Sequence, residues 1–196
     1  MTYSESYYVL NKLEDIRRYD EALFKHCVAV ADLSFCIGSN LGLSPSACYD
    51  LWTAGALHDY GKLYVSRGIL DKPSRLTPFE YSIMKCHVMM GFNVLAEGEQ
   101  MNEVSLNAIA EHHERYRGDG YPVGDEKPDE FSQILAVADS FDALTAVRPY
   151  KFGLEKDDAI RIIKQQDVFK EDLINVLEKA VAAFSDSNDS LTFSER

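Results

Sequence analysis

At 196 residues, with 46% hydrophobic and 27% charged side chains, the chain is long enough for one domain with a sizeable core and needs no disulfide staples. Its formal net charge of -12 excludes sequence-independent binding to DNA or to an anionic membrane surface, because both need a basic footprint. Cys27, Cys36, Cys48 and Cys86 form no CxxC pair, which argues against a zinc-thiolate site and for reduced, small core residues.

The first residues, Met1 to Glu5, have neither the basic start nor the apolar run of a signal peptide, and no stretch reads as long enough to span a bilayer. The expected location is the cytoplasm, with no membrane insertion. Tyr8, Val9, Leu13 and Ile16 predict a short helix within an N-terminal extension, 1–19, suited to packing or dimerisation. From Asp20, a suitable N-cap, apolar residues at helical spacing run to Gly42 and carry His26 with them. Ser44 and Pro45 open the next helix as N-cap and first helical residue. Leu51, Ala54, Leu57 and His58 continue it at i, i+3 and i+4, and Gly61 is suited to end it in a left-handed conformation. That helix delivers His58 and Asp59, with Lys62 just beyond. A neighbouring imidazole and carboxylate at a helix end can be a capping pair or a set of metal ligands, and the pair alone does not decide.

Residues 63–75 lack periodicity and read as a loop over the end of that helix. Thr77-Pro78-Phe79-Glu80 fits a capping box and starts a helix expected to run through His87 to Leu95. Another apolar helix ends in His112-His113-Glu114, and the glycines and prolines of 115–130 make a loop. Ser132 to Val147 is strongly apolar yet carries Asp139 and Asp142, which need partners in such a setting; Asp142 reads as structural. Two amphipathic helices follow, at 154–166 and 170–184, and 185–196 reads as a polar, disordered tail. Strand alternation is missing throughout, so the expected fold is all-α, a single-domain helical bundle over 20–184.

All five histidines, His26, His58, His87, His112 and His113, fall on or at the end of apolar helices. Converging helices could gather these imidazoles with Asp59 and Asp139 around one cavity with enough ligands for two cations. Imidazole and carboxylate without thiolate suits iron, manganese, nickel or zinc, and paired cations suit phosphoester hydrolysis.

These motifs in this order resemble the HD-GYP family, a branch of the HD-domain metal-dependent phosphohydrolases. The matching stretches are His58-Asp59-Tyr60-Gly61-Lys62, Ile69-Leu70-Asp71-Lys72-Pro73, His87 with Gly91, His112-His113-Glu114, Gly120-Tyr121-Pro122 and Ala138-Asp139 through Arg148-Pro149-Tyr150-Lys151. The resemblance implies an HD-type bundle with a metal centre in its core and hydrolysis of cyclic di-GMP to pGpG, with GMP as a further product. It implies two divalent cations, iron or manganese in first place and nickel or zinc as alternatives. One would be held by His26, His58, Asp59 and Asp139, the other by Asp59, His87, His112 and His113, with a bridging hydroxide as nucleophile. Lys62 would stabilise charge on the scissile phosphate, while Gly120, Tyr121, Pro122, Arg148 and Lys151 would contact substrate.

The chain departs from the family pattern in places. Ala22 stands where some members carry a glutamate for a third metal, and Glu21 is rotated about 100° away, so a dinuclear centre is expected. Arg117 stands where an aspartate is usual, which adds a phosphate contact or alters which cyclic dinucleotide fits. A sensory or receiver domain is missing, so regulation is expected from a homodimer, a separate partner protein or expression. The alternatives are a phosphodiesterase for another nucleotide such as cyclic GMP-AMP, and a non-catalytic cyclic-dinucleotide sensor or adaptor.

Overall fold

A computed structural model describes residues 3–146 and 153–192, with Tyr3 and 184–192 as backbone only. The described residues are helical with no strand: α1 (Tyr3–Tyr19), α2 (Glu21–Asn40), α3 (Pro45–Leu57), a 3-10 turn (Tyr60–Tyr64), α4 (Arg67–Leu70), α5 (Pro78–Lys85), α6 (His87–Glu97), α7 (Glu103–Glu111), α8 (Glu130–Thr145), α9 (Lys156–Gln166) and α10 (Glu171–Thr192). The all-α reading holds.

The capping expectations hold as well. Asp20 accepts from the Ala22 and Leu23 N–H groups, Ser44 accepts from Ala47 ahead of Pro45, and Thr77 and Glu80 bond reciprocally as a capping box. Lys72 holds Glu80 from the other side. Those contacts keep the Glu80 carboxyl down at about 2, the Lys72 hydrogen bond being the main cause.

Helix α2 is the axis of the bundle. It packs most extensively on α3, and also on α8, α10 and α1. Cys27, Val30, Ala31 and Ile37 are fully covered there. Contrary to the sequence reading, Glu21–Asn40 is long and apolar enough to cross a membrane. Its apolarity is explained by its central place in the core, where neighbouring helices cover it. The contact with α3 depends on Gly55, where a Cβ would lie 2.6 Å from the Ala31 Cα.

Gly61 works differently from the expectation. It is not among the positive-φ residues, so it does not supply a left-handed cap. A Cβ on it would lie 1.8 Å from the His87 carbonyl oxygen, so the absence of a side chain lets the 3-10 turn lie against α6. The helix expected from Thr77 to Leu95 is broken at Cys86. There the Cys86 N–H bonds to Ile83 three residues back, and the Met84 carbonyl accepts the Nδ1–H of His87. The segment 63–75 is likewise not a plain loop, because it holds the end of the 3-10 turn and α4. α10 runs past 184 to Thr192, where a tail is predicted; no glycine or proline interrupts Glu171–Thr192.

Candidate metal centre

The ends of α3 and α7 and the junction of α5 with α6 converge on one buried point, and each brings a histidine fixed in the same way. The last carbonyls of a helix have no partner within it. Here the Nδ1–H of His58 donates to Gly55 at 2.8 Å, that of His87 to Met84 at 2.7 Å, and that of His112 to Ile109 at 2.6 Å. A carbonyl can only accept, so Nδ1 carries the proton and Nε2 is turned inward as the free nitrogen. This is the arrangement in which a metal-ligating histidine is held by an outer partner.

The inward atoms lack protein partners. Nε2 of His58, His87 and His112, together with Oδ1 of Asp59, are buried with no hydrogen bond among the described residues. Burial alone would make such atoms costly. Burial also drives the His58 imidazole toward its neutral form, and His112 more strongly, where the neighbouring His113, His58 and His87 add to the effect. For His113 burial brings the pKa down to about 3. These rings are therefore neutral nitrogen donors at neutral pH, the state in which imidazole ligates a cation.

Asp59 stands between two groups of donors. Its Oδ2 lies 3.4 Å from Nε2 of His26 and 3.4 Å from Nε2 of His58, while its Oδ1 lies 3.3 Å from Nε2 of His87. Ligand atoms of His26, His58 and Asp59 lie within 4.8 Å of one another, as do those of His87, His112 and His113. Asp139 joins the first group, with Oδ1 3.2 Å from His26 Nε2 and 3.8 Å from His58 Nε2. All seven sequence-predicted ligand residues thus meet around one centre, and the donor set fits divalent transition metal ions.

His26 is held from α8 rather than by its own helix. Its Nδ1 lies 2.6 Å from Oδ2 of Asp142, so Asp142 orients the imidazole, a structural role in which the basic side chain it holds is His26. Burial disfavours the His26 cation, yet Asp139, Asp142 and Asp59 together hold its pKa well above the ordinary range. A cation at Nε2 would take the place of that proton. The i, i+3 spacing of Asp139 and Asp142 was a usable signal, since it puts both carboxylates on one face of α8.

Lys62 reaches back from the 3-10 turn to bond Oδ2 of Asp59. Burial opposes its charge, but Asp59 and Asp139 keep the ammonium protonated and raise its pKa. In the same contacts the Asp59 carboxyl is held well below its usual range against the cost of burial, by Lys62 first and then by the histidines.

The Gly120-Tyr121-Pro122 loop closes one side. Tyr121 stacks on His113, with ring centroids 4.5 Å apart and an interplanar angle of 23°, and its N–H bonds the His113 carbonyl at 3.1 Å. Gly120 permits this approach, because a Cβ there would lie 2.5 Å from the Glu114 Cα. The Tyr121-Pro122 peptide is cis. Burial, with Tyr81 and Asp59 nearby, raises the Tyr121 phenol, which stays protonated. Glu114, quoted in the motif but given no task by the sequence reading, accepts the backbone N–H groups of Val123, Gly124 and Asp125 and pins the loop beyond the tyrosine.

Arg117 does not face the centre. It pairs with Asp167 between α9 and α10, where the Tyr116 hydroxyl also bonds, so of its two expected roles the direct phosphate contact has no support in this placement. An adjacent carboxylate draws it away. Arg148 and Lys151 lie outside the described residues.

An all-α bundle that gathers histidine and aspartate side chains at one buried point has the donors of a metal-binding domain. The chain belongs to the HD-domain family, whose model matches residues 12–169, and it carries both motifs that name the HD-GYP branch. It is 38% identical over 159 residues to a cyclic di-GMP phosphodiesterase of Thermotoga maritima, covering 80% of this chain and 43% of that protein. It is 36% identical over 143 residues to 3'3'-cGAMP-specific phosphodiesterase 3 of Vibrio cholerae, covering 71% of this chain and 31% of that protein. The chain therefore spans less than half the length of these curated relatives. The fold is shared with the HD domain of the L. monocytogenes phosphodiesterase PgpH, solved in complex with cyclic-di-AMP. There the TM-score is 0.67 at 18% identity, over 90% of this chain and 96% of that one.

Proposed function

We propose that this domain is a metal-dependent phosphodiesterase that opens cyclic di-GMP to pGpG and carries part of it on to GMP. The observation that carries the proposal is the burial of three imidazole Nε2 atoms and one Asp59 oxygen without protein partners, beside an Asp59 carboxylate that lies within 3.4 Å of His26, His58 and His87. The curated relative from T. maritima supports the substrate.

In this reading His26, His58, Asp59 and Asp139 hold one divalent cation and Asp59, His87, His112 and His113 the other, with iron or manganese put first by the family resemblance and nickel or zinc equally compatible with the donor set. Bound cations supply a water acidic enough to attack at neutral pH and positive charge for the phosphoryl oxygens. The chain's own residues do the rest. Asp59 and Asp139 fix the donor geometry, and Asp142 and the helix-end carbonyls orient the imidazoles. Lys62, protonated and a quarter exposed, releases its contact with Asp59 to meet charge developing on the scissile phosphate. Tyr121 covers His113 and excludes water from that flank. The four free cysteines support a reducing, cytoplasmic setting.

A second substrate, 3'3'-cyclic GMP-AMP, is favoured by the V. cholerae relative. Hydrolysis of both dinucleotides by protein loaded with iron(II) or manganese(II) under anaerobic conditions, with products separated by chromatography, distinguishes the two. Faster formation of pGpG from cyclic di-GMP supports the first reading, and preferential cleavage of cyclic GMP-AMP replaces it. Binding of either without turnover under every metal condition would make the domain a sensor.

A further inference from the structure

A column of ring contacts leads from the candidate metal centre to a lysine that belongs to none of the family motifs. His87 and His113 meet edge-on at 5.3 Å, and His113 stacks on Tyr121. The Lys85 ammonium stands over the Tyr121 ring, 5.6 Å from its centroid, and over the Tyr81 ring at 5.4 Å. Tyr81 and Lys85 are four residues apart on α5, so both side chains share one face of that helix.

The neighbouring cations are already engaged. Lys62 is bound to Asp59, Arg115 donates to the His112 and Glu114 carbonyls, and Arg117 is paired with Asp167. Lys85 is half-buried against two aromatic faces and forms no ion pair with a described carboxylate, in a chain with 32 acidic and 20 basic residues. Among the described residues this ammonium meets ring quadrupoles rather than a carboxylate, which leaves it available to an anion.

Resting on the phosphodiesterase reading, we propose that Lys85, Tyr81 and Tyr121 form an outer subsite for the uncleaved half of a cyclic dinucleotide. A cyclic dinucleotide carries two phosphodiesters on one ring, so when one lies at Asp59 the other is held a short way outward. Lys85 neutralises that second phosphate. Tyr81, about half exposed, offers a ring face on which a purine stacks.

The test compares Lys85→Met, Lys85→Arg and Tyr81→Ala with the full wild-type chain, all loaded with manganese(II), on cyclic di-GMP and on bis(4-nitrophenyl) phosphate. The latter is a diester with a single phosphate. Lys85→Met is expected to raise KM for cyclic di-GMP about tenfold, the loss of one charge-assisted contact, with kcat little changed. Lys85→Arg restores most of the affinity. Tyr81→Ala also raises KM, and in each case the penalty is confined to the two-phosphate substrate. Equal losses on both substrates, or a Lys85→Met enzyme indistinguishable from wild type on cyclic di-GMP, overturn the subsite while leaving the phosphodiesterase standing. Wild-type protein that cleaves the simple diester but no cyclic dinucleotide overturns both.

Discussion

Asp59 Oδ1 lies 3.3 Å from His87 Nε2 while the other oxygen of the same carboxylate faces His26 and His58 at 3.4 Å. One side chain at the end of α3 thus joins donors from α2 and α3 to a donor from α6. Asp59→Asn keeps the shape but removes the charge both groups share. Loss of outer partners costs metal sites about 10–100-fold, and a shared ligand should cost at least as much in kcat/KM. The check is steady-state kinetics beside metal content per chain; an Asn variant with full metal and full activity would deny Asp59 the bridging place.

The cluster makes the metal-free protein acid-sensitive. His58, His112 and His113 have lowered pKa values, His113 to about 3, so between ordinary histidine pKa and that value the unfolded chain binds more protons than the native one. Stability then rises with pH across that window and falls on acidification. His26 acts oppositely, because its raised pKa favours the native state below the ordinary value and loses that contribution as pH rises through the folded one. Three lowered groups against one raised group predict a lower Tm at pH 5 than at pH 7 for chelated protein. Thermal unfolding in matched buffers measures it, and a higher Tm at pH 5 would mean the rings are not neutral donors.

Gly61→Ala should damage the centre without touching a ligand. The added Cβ meets the His87 carbonyl at 1.8 Å and the Gly91 nitrogen at 2.6 Å, both backbone atoms that cannot swing aside. Overpacking of this kind costs about 1–3 kcal/mol and shifts the start of α6, which carries His87. Denaturant unfolding should show the loss together with weaker metal retention.

Tyr121 acts through its ring rather than its acidity, since its raised phenol stays protonated. Tyr121→Phe should therefore keep activity within a few-fold. Tyr121→Ala removes the stack on His113, worth about 0.5–1.5 kcal/mol beyond buried area, and should lower kcat/KM roughly tenfold or more. Equal losses in both variants would assign the work to the hydroxyl instead.

The candidate ligand residues were legible because they lie on or at the ends of apolar helices, and His58, Asp59, His87, His112, His113, His26 and Asp139 do converge. The capping residues Asp20, Ser44 and Thr77 were legible for the same local reason. What periodicity could not show was which particular side chain, or which missing one, meets a given backbone atom. The break at Cys86 comes from His87 taking the Met84 carbonyl, and Gly61 is needed for close approach to α6, a contact invisible in its own sequence neighbourhood. Asp142 was read as structural without its partner being named, because His26 is distant in the chain. Arg117 was left between a phosphate contact and a change in substrate fit because its partner Asp167 lies in a connection that carries no motif.

The most direct measurement is a metal titration of activity. Chelated protein is given iron(II) or manganese(II) anaerobically in steps while conversion of cyclic di-GMP to pGpG is followed, with Asp59→Ala in parallel. Activity that appears only with metal, saturates near two equivalents per chain and is lost in Asp59→Ala is the predicted result. Hydrolysis that survives chelation, or that Asp59→Ala supports as well as wild type, would contradict the account.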